Sequence, residues 1–338
     1  MTAQDPRPAA VSDSRPAAVF DSRPAAVLGS RPAAAFGERL AAAVAAHGPL
    51  CVGIDPHPAL LAEWGLADDW RGLERFALTC VDALAGHVAV VKPQSAFFER
   101  HGSLGIAVLE KVLAGLAAQA LPGSPATLSL LDVKRGDIGS TMDGYADAYL
   151  AVGAPLGADA VTVSPYLGFG SLTSAIRTAD DAGRGVFVLA RTSNAEGAEV
   201  QLADRAGRSV AQGIVDAAAA ANRDALAAVA AREQAQAGVV ELGDGSGLPA
   251  LGPVGVVVGA TAEHGLDLST LSGAVLAPGL GAQGATPADL AARFAGVRGV
   301  VLPSASRSVL AAGPNPARVR AAAQALRDQL TAAQSPLH

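Results

Sequence analysis

Eight short β-rich apolar runs, each closed by polar or Gly/Pro residues, recur along the chain from about Phe36 onward. They read PLCVGID (49–55), HVAVVKP (87–93), TLSLLDVK (127–134), DAVTVSP (159–165), GVFVLAR (185–191), VGVVVGAT (254–261), AVLAPG (274–279) and RGVVLPS (298–304). Ala/Leu-rich helical stretches lie between them, among them Gly72–Leu84, Gly105–Ala120 and Thr141–Val152. Strands alternating with helices imply right-handed βαβ units and a parallel sheet. Eight such units in about 300 residues predict a closed (β/α)8 TIM barrel rather than an open doubly wound sheet. The gap from residue 191 to residue 254 is too long for one unit. It holds an Ala-rich helix, roughly Ser209–Gln234, and then the Gly-rich stretch ELGDGSGLPALG, so residues about 200–250 read as a helical insertion in the fifth unit.

The first 35 residues follow a different rule. RPAAVSDS, RPAAVFDS, RPAAVLGS and RPAAAFGE succeed one another from Arg7, Arg15, Arg23 and Arg31. A proline in every octad blocks a continuous helix, and each octad has too little apolar surface for a core. Residues 1–35 therefore read as a disordered low-complexity tail, and 36–338 as one barrel domain. The net charge of −6 leaves no global basic footprint, so nucleic acid is not an expected partner. The uncharged stretches Leu248–Ala262 and Leu268–Ala288 are broken by Gly and Pro, so no membrane span is expected. The start of the chain lacks the apolar core of a signal peptide. Two cysteines, Cys51 and Cys80, lie far apart in apolar surroundings, which suits a reducing cytoplasm. The histidines show no ligand spacing, so no metal is expected.

Barrels of this kind carry their chemistry at the C-terminal ends of the strands. There the polar residues gather: Asp55 after the first run, Lys92 in the second, Asp132 and Lys134 in the third. Arg191-Thr192-Ser193-Asn194 follow the fifth, Pro278-Gly279 end the seventh, and Ser304 to Arg307 end the eighth. The third run is the most crowded, with LLDVKRGDI (130–138) placing four charges at the end of an apolar strand in a chain only 17% charged. Asp132 and Lys134 are two apart on a strand and so share a face, with Leu128 and Leu130 filling the barrel beneath them. Gly136 permits a turn that brings Asp137 back towards Lys134, and Lys92 enters from the neighbouring strand. Carboxylates and ammoniums then alternate. Flanking carboxylates favour the ammonium form of a lysine, and a held ammonium is a poor Schiff-base nucleophile but a good proton donor to a carbanion. A salt-bridge network at the barrel rim would use the same residues. Buried ion pairs often fail to outdo apolar packing, so a four-charge cluster at a catalytic end leans towards function.

GLGAQG (279–284) matches G-x-G-x-x-G after a strand. The dinucleotide reading fails, because no Asp or Glu lies between Asp289 and Asp328 to take the ribose hydroxyls. The loops after strands seven and eight of a barrel commonly cradle phosphate. Amides from Gly279 to Gly284, the Gln283 side chain and the Arg307 guanidinium would supply the donors, unless this is a plain Gly-rich turn.

With the strands and the cluster placed, the sequence resembles the orotidine 5′-phosphate decarboxylase family, most of all the branch found in mycobacteria and their relatives. The resemblance runs from about Phe36 to Ala333. Its motifs are CVGIDPHP (51–58), VVKPQSAFFE (90–99), DVKRGDIGST (132–141), SPYLGFGSL (164–172), VFVLARTSN (186–194), VVVGAT (256–261), PGLGAQG (278–284) and SRSVLAAGP (306–314). It implies conversion of orotidine 5′-phosphate to UMP and CO₂, the last step of UMP synthesis, without a cofactor. It implies a catalytic tetrad of Lys92, Asp132, Lys134 and Asp137, with Lys134 the proton donor. It further implies a homodimer with shared sites, in which Asp137 and Thr141 reach into the partner's site. Asp55 would hold a ribose hydroxyl, Ser193 the pyrimidine edge, and Gly279, Gln283 and Arg307 the phosphate. The chain departs from the family in its octad tail, in the segment after strand five, and in having Ser306-Arg307 where a Gly-Arg pair is usual.

Two other readings use the same residues. A metal-dependent 3-keto-hexulose-phosphate decarboxylase or synthase shares the fold, but strand two would have to offer a carboxylate where this chain has Lys92. A barrel scaffold displayed through its tail would have no use for the tetrad.

Overall fold

The apolar runs are strands: β1 (Cys51–Ile54), β2 (Val90–Pro93), β3 (Leu128–Arg135), β4 (Ala160–Val163), β5 (Gly185–Arg191), β6 (Val254–Val258), β7 (Val275–Pro278) and β8 (Val301–Ala305). The computed structural model describes residues 34–119, 124–237 and 250–334. Within them each strand pairs in parallel with its chain neighbours, and β8 returns to β1, so the sheet is a closed (β/α)8 barrel. Both faces of such a sheet are buried, which is why the runs are continuously apolar rather than alternating. One parity, including Leu128, Leu130, Ala160, Phe187, Val257, Leu276 and Leu302, fills the interior. The other, including Val52, Val91, Leu131, Val161, Val186 and Val256, packs outward against the helices.

The main helices are α1 (Phe36–His47), α2 (Trp70–Leu84), α3 (Gly102–Ala118), α4 (Gly139–Tyr149), α5 (Thr173–Asp181), α6 (Val210–Ala237), α7 (Pro287–Arg293) and α8 (Pro316–Gln334). In α2, Leu73, Phe76, Ala77, Cys80, Val81 and Leu84 recur at helical spacing and form its buried stripe. Its first turn is capped by Asp69, whose carboxylate accepts from the Gly72 amide at 2.8 Å. Helix α1 precedes the barrel and closes its N-terminal end. Phe36 meets Phe187 edge-on at 6.2 Å, and a Cβ on Gly185 would lie 2.5 Å from the Phe36 ring, so only glycine fits at the start of β5.

Two features depart from a uniform eightfold repeat. The segment about 200–250, read from sequence as an insertion, contains the fifth unit's own outer helix. Ala211, Ile214, Val215 and Ala218 of α6 are buried in the shell that covers β5 and β6. Asn222, fully buried, donates to the carbonyls of Val254 and Leu271 and accepts from the Val254 amide, tying α6 to the start of β6. Among the described residues, the excess consists of the short helix Ala198–Gln201, the hairpin Asp204–Arg205/Arg208–Ser209 and the later turns of α6. Between β6 and β7, among the described residues, no helix forms, and Leu266, Leu268 and Leu271 cover the strands instead. The octad tail up to residue 33 and residues 238–249 of the Gly-rich stretch lie outside the described residues.

Candidate active site

The end of β3 is irregular where the charges begin. Leu131 pairs with Val161 and Arg135 with Val163, so Asp132, Val133 and Lys134 stand opposite the single residue Thr162. Lys134 takes up the slack at φ +48°, a left-handed conformation uncommon for a side chain of its kind. Its ammonium thereby stays beside Asp132, donating to Oδ1 at 2.6 Å. Lys92, from β2, donates to Asp132 Oδ2 at 3.0 Å. Asp132 is thus gripped from both sides, and Thr162 adds a hydroxyl donated to Oδ1 at 2.8 Å.

Electrostatics hold Lys92 and Asp132 in their charged forms. Burial works against the Lys92 ammonium, but the Asp132 and Asp55 carboxylates outweigh it and hold its pKa above the usual lysine range. Burial likewise opposes the Asp132 carboxylate. Lys92 and Lys134, with hydrogen bonds from Lys134 and Thr162, prevail and hold it well below the usual range. Beneath them Cys51 is buried, and burial pushes its thiol up to about 12, so it is a neutral filler and no nucleophile.

The cluster forms one wall of a cavity of about 580 Å³ at the C-terminal mouth of the barrel. Asp55, Ser193, Gly279, Gln283, Ser306 and Arg307, all candidates from the sequence, line the same cavity. Asp55 Oδ1 and Ser306 Oγ are buried yet have no hydrogen-bond partner among the described residues. Orphaned acceptors and donors of this sort mark a place that a polar ligand completes. Ser193 donates to Gln283 Oε1 at 3.3 Å, which joins the loop after β5 to the loop after β7. In the latter, Gly279, Gly281 and Gly284 all have positive φ, and Ala285 returns its amide to the Gly279 carbonyl at 3.2 Å. The G-x-G-x-x-G spacing here serves a tight return loop, as only glycine adopts these conformations freely.

Asp137 and Thr141 are placed elsewhere. Neither lines the cavity of its own chain. The expectation that Gly136 turns Asp137 back onto Lys134 fails, because the Asp137 carboxylate instead accepts from the Ile138 amide at 2.8 Å. Gly136 is required for a different reason, since a Cβ there would lie 2.3 Å from the Ser164 carbonyl of the adjoining loop. Among the polar residues of the lining, sequence reasoning passed over four, His57, Gln94, Thr162 and Gln201. Gln94 and Thr162 were open to discovery, for Gln94 shares the inward parity of Lys92 and Thr162 that of Ala160. Gln201 carries no such signal. It arrives from the short helix after β5 and accepts from the Thr192 amide at 3.0 Å.

A closed parallel barrel whose charged cluster and glycine loop share one mouth belongs to the class of barrel enzymes that act on small phosphorylated molecules. The sequence profile of the orotidine 5′-phosphate decarboxylase / HUMPS family matches residues 48–323. An orotidine 5′-phosphate decarboxylase from Salinispora arenicola is 56% identical over 283 residues, covering 83% of this chain and 91% of that one. One from Streptomyces coelicolor is 50% identical over 286 residues, with the same coverage of 83% and 91%. A crystal structure from Streptomyces avermitilis, assigned the same activity, superposes with a TM-score of 0.75 at 50% identity, covering 89% of this chain and 96% of that one. The chain belongs to the orotidine 5′-phosphate decarboxylase family.

Proposed function

We propose that the protein decarboxylates orotidine 5′-phosphate to UMP and CO₂, the final step of UMP synthesis. The observation that carries this reading is the continuous contact Lys92–Asp132–Lys134, at 3.0 and 2.6 Å, on the wall of a cavity whose opposite rim is the glycine loop with Gln283 and Arg307. Loss of CO₂ from C6 of the pyrimidine leaves a carbanion with no adjacent electron sink. A fixed ammonium beside C6 stabilises that charge as it develops and then gives up a proton to form the C6–H bond of UMP. Lys134 has this role, and it regains its proton from solvent after release. Asp132 holds both lysines and lies beside the departing carboxylate, while Lys92 balances its charge. Asp55 takes a ribose hydroxyl and Ser193 the pyrimidine edge. Gly279, Gln283, Ser306 and Arg307 take the phosphate, whose binding energy, remote from C6, orders the mouth.

The same reading makes the active unit a homodimer with shared sites, in the cytoplasm. Asp137 and Thr141 lie outside their own chain's cavity, and beside them Ile138, Tyr166 and Leu167 are 63%, 80% and 52% exposed. Exposed apolar residues next to unspent catalytic candidates fit a face that a second copy covers. Two free, buried thiols, Cys51 and Cys80, suit a reducing compartment. Among the described residues no helix is long and apolar enough to cross a membrane. The metal-dependent hexulose-phosphate reading has less support, since strand two sets the Lys92 ammonium beside Asp132, which opposes a divalent cation, where that chemistry would want a carboxylate. The test is direct, following absorbance loss as orotidine 5′-phosphate is consumed, with EDTA present and no metal added. Turnover unaffected by EDTA supports the proposal, and no consumption, or consumption that EDTA stops, overturns it.

A further inference from the structure

Thr162 carries no charge and sits on β4, the strand beside the charged one, and two parts of the site meet on its hydroxyl. It is 1% exposed. Where three residues of β3 face this one residue of β4, the regular ladder is interrupted, and a backbone N–H at such a bulge loses its carbonyl partner. The Lys134 amide is in this position, and it donates to Thr162 Oγ1 at 2.9 Å. The same hydroxyl donates to Asp132 Oδ1 at 2.8 Å. Direction is fixed at both ends, because an amide can only give and an ionised carboxylate can only receive. A hydroxyl can do both at once; no apolar side chain of the same shape can do either.

The conformation it supports is a costly one. A non-glycine residue in the left-handed region is disfavoured and persists only where its surroundings over-determine it. At Lys134 the bond to Thr162 is one such determinant, and the ion pair with Asp132 Oδ1 is the other. Oδ1 also receives the Thr162 hydroxyl, so backbone, side chain and counter-ion of the lysine are referred to one atom on β4.

We propose that Thr162 is a positioning residue for the decarboxylation, holding the backbone of Lys134 in its left-handed turn and Asp132 Oδ1 in place, so that the ammonium is aimed into the cavity. This rests on the decarboxylase reading above. A merely structural threonine would be replaceable by valine, which has its shape, with no consequence beyond stability.

The experiment compares wild type with Thr162→Val, Thr162→Ala and Thr162→Ser, measuring active-site concentration by UMP titration, then kcat and KM. Wild-type turnover is established first, and its absence overturns the decarboxylase reading and this one together. Given turnover, Thr162→Val is expected to lose about 10- to 100-fold in kcat, as misplacement of a reacting group by a fraction of an ångström to one ångström does. KM and UMP affinity are expected to stay within about threefold, since phosphate and ribose are held elsewhere. Thr162→Ser, which keeps the hydroxyl, is expected to recover most of kcat. Should valine disturb folding, Thr162→Ala gives the same reading without added bulk. Positioning by Thr162 is overturned by a kcat near wild type in the valine or alanine variant. It is equally overturned by a serine variant as slow as valine, or by kcat and UMP affinity falling together.

Discussion

Asp132 and Lys92 are buried charges that stabilise one another, and their linkage to pH has a definite sign. Asp132 has a folded pKa below its unfolded value of about 3.9, so its contribution is full above that value and is lost as pH falls towards the folded one. Lys92 has a folded pKa above its unfolded value of about 10.4, so its contribution is full below that value and is lost only as pH rises beyond it. Asp132→Asn keeps the shape but leaves the lysines without their shared counter-charge. Urea midpoints should show wild type more stable than Asp132→Asn by a constant margin above about pH 5, with the margin beginning to close below about 4 and narrowing further as pH falls towards the folded value. A margin that widens in acid would contradict the paired-charge account. Lys134 belongs to the same network but has a different function to lose. Lys134→Ala should abolish turnover while UMP binding stays measurable by calorimetry. Retention of more than about a tenth of wild-type kcat would mean a loss under ~1.4 kcal/mol of transition-state stabilisation, too little for a proton donor. At this scale the charges were legible from sequence, because Asp, Lys, Arg and Asp are rare at the end of an apolar strand. Thr162 was not. A lone threonine in DAVTVSP looks like ordinary strand chemistry until the bulge opposite it is known.

At the scale of elements, the strands were the easiest part to read. Parallel strands buried on both faces must be continuously apolar, and all eight runs stand where that rule puts them. The helices α2, α3 and α4 begin two or three residues earlier than the apolar pattern suggests, because residues such as Trp70 and Arg71 complete the first turn outside the buried stripe. The fifth unit was misread for a different reason: α6 is so rich in alanine that its buried stripe, Ala211, Ile214, Val215 and Ala218, scarcely stands out from the rest. Helix α1 shows what an element outside the repeat contributes. Phe36→Ala removes a ring that plugs the N-terminal end against Phe187, and should cost about 3–5 kcal/mol in denaturant unfolding. The glycine loop after β7 is the opposite case, an element built for function. Gly279 has φ +120°, and a Cβ there would lie 2.8 Å from Thr261 Cγ2. Gly279→Ala should therefore shift the loop and weaken UMP binding by about tenfold, ~1.4 kcal/mol, by calorimetry. Unchanged affinity would remove the loop from the phosphate site.

For the whole molecule, the open account is that of Asp137, which sequence reasoning set beside Lys134 and which the folded chain turns towards the Ile138 amide at the edge of an exposed apolar face. Within one chain its carboxylate meets the Ile138 amide and does not reach the cavity that Lys134 lines. If a second copy covers Ile138, Tyr166 and Leu167, the carboxylate completes the partner's site, and a two-fold interface makes the exchange mutual. Asp137→Ala and Lys134→Ala would then each be severely impaired, for reasons residing in different chains. A mixed dimer has one site with both lesions and one with neither, for the intact site takes its lysine from one chain and its aspartate from the other. Under random exchange half the dimers are mixed, and each has one working site of two. Mixing the purified variants at equal concentration should therefore restore about a quarter of wild-type activity. Subunit exchange is verified by native mass spectrometry, and decarboxylation is then assayed on the same sample. With exchange verified and no activity regained, Asp137 would act inside its own chain after a local rearrangement, and the dimer would be dispensable to the chemistry. Activity near a quarter would instead make the barrel a half-enzyme, whose exposed face is as much a part of the active site as its mouth.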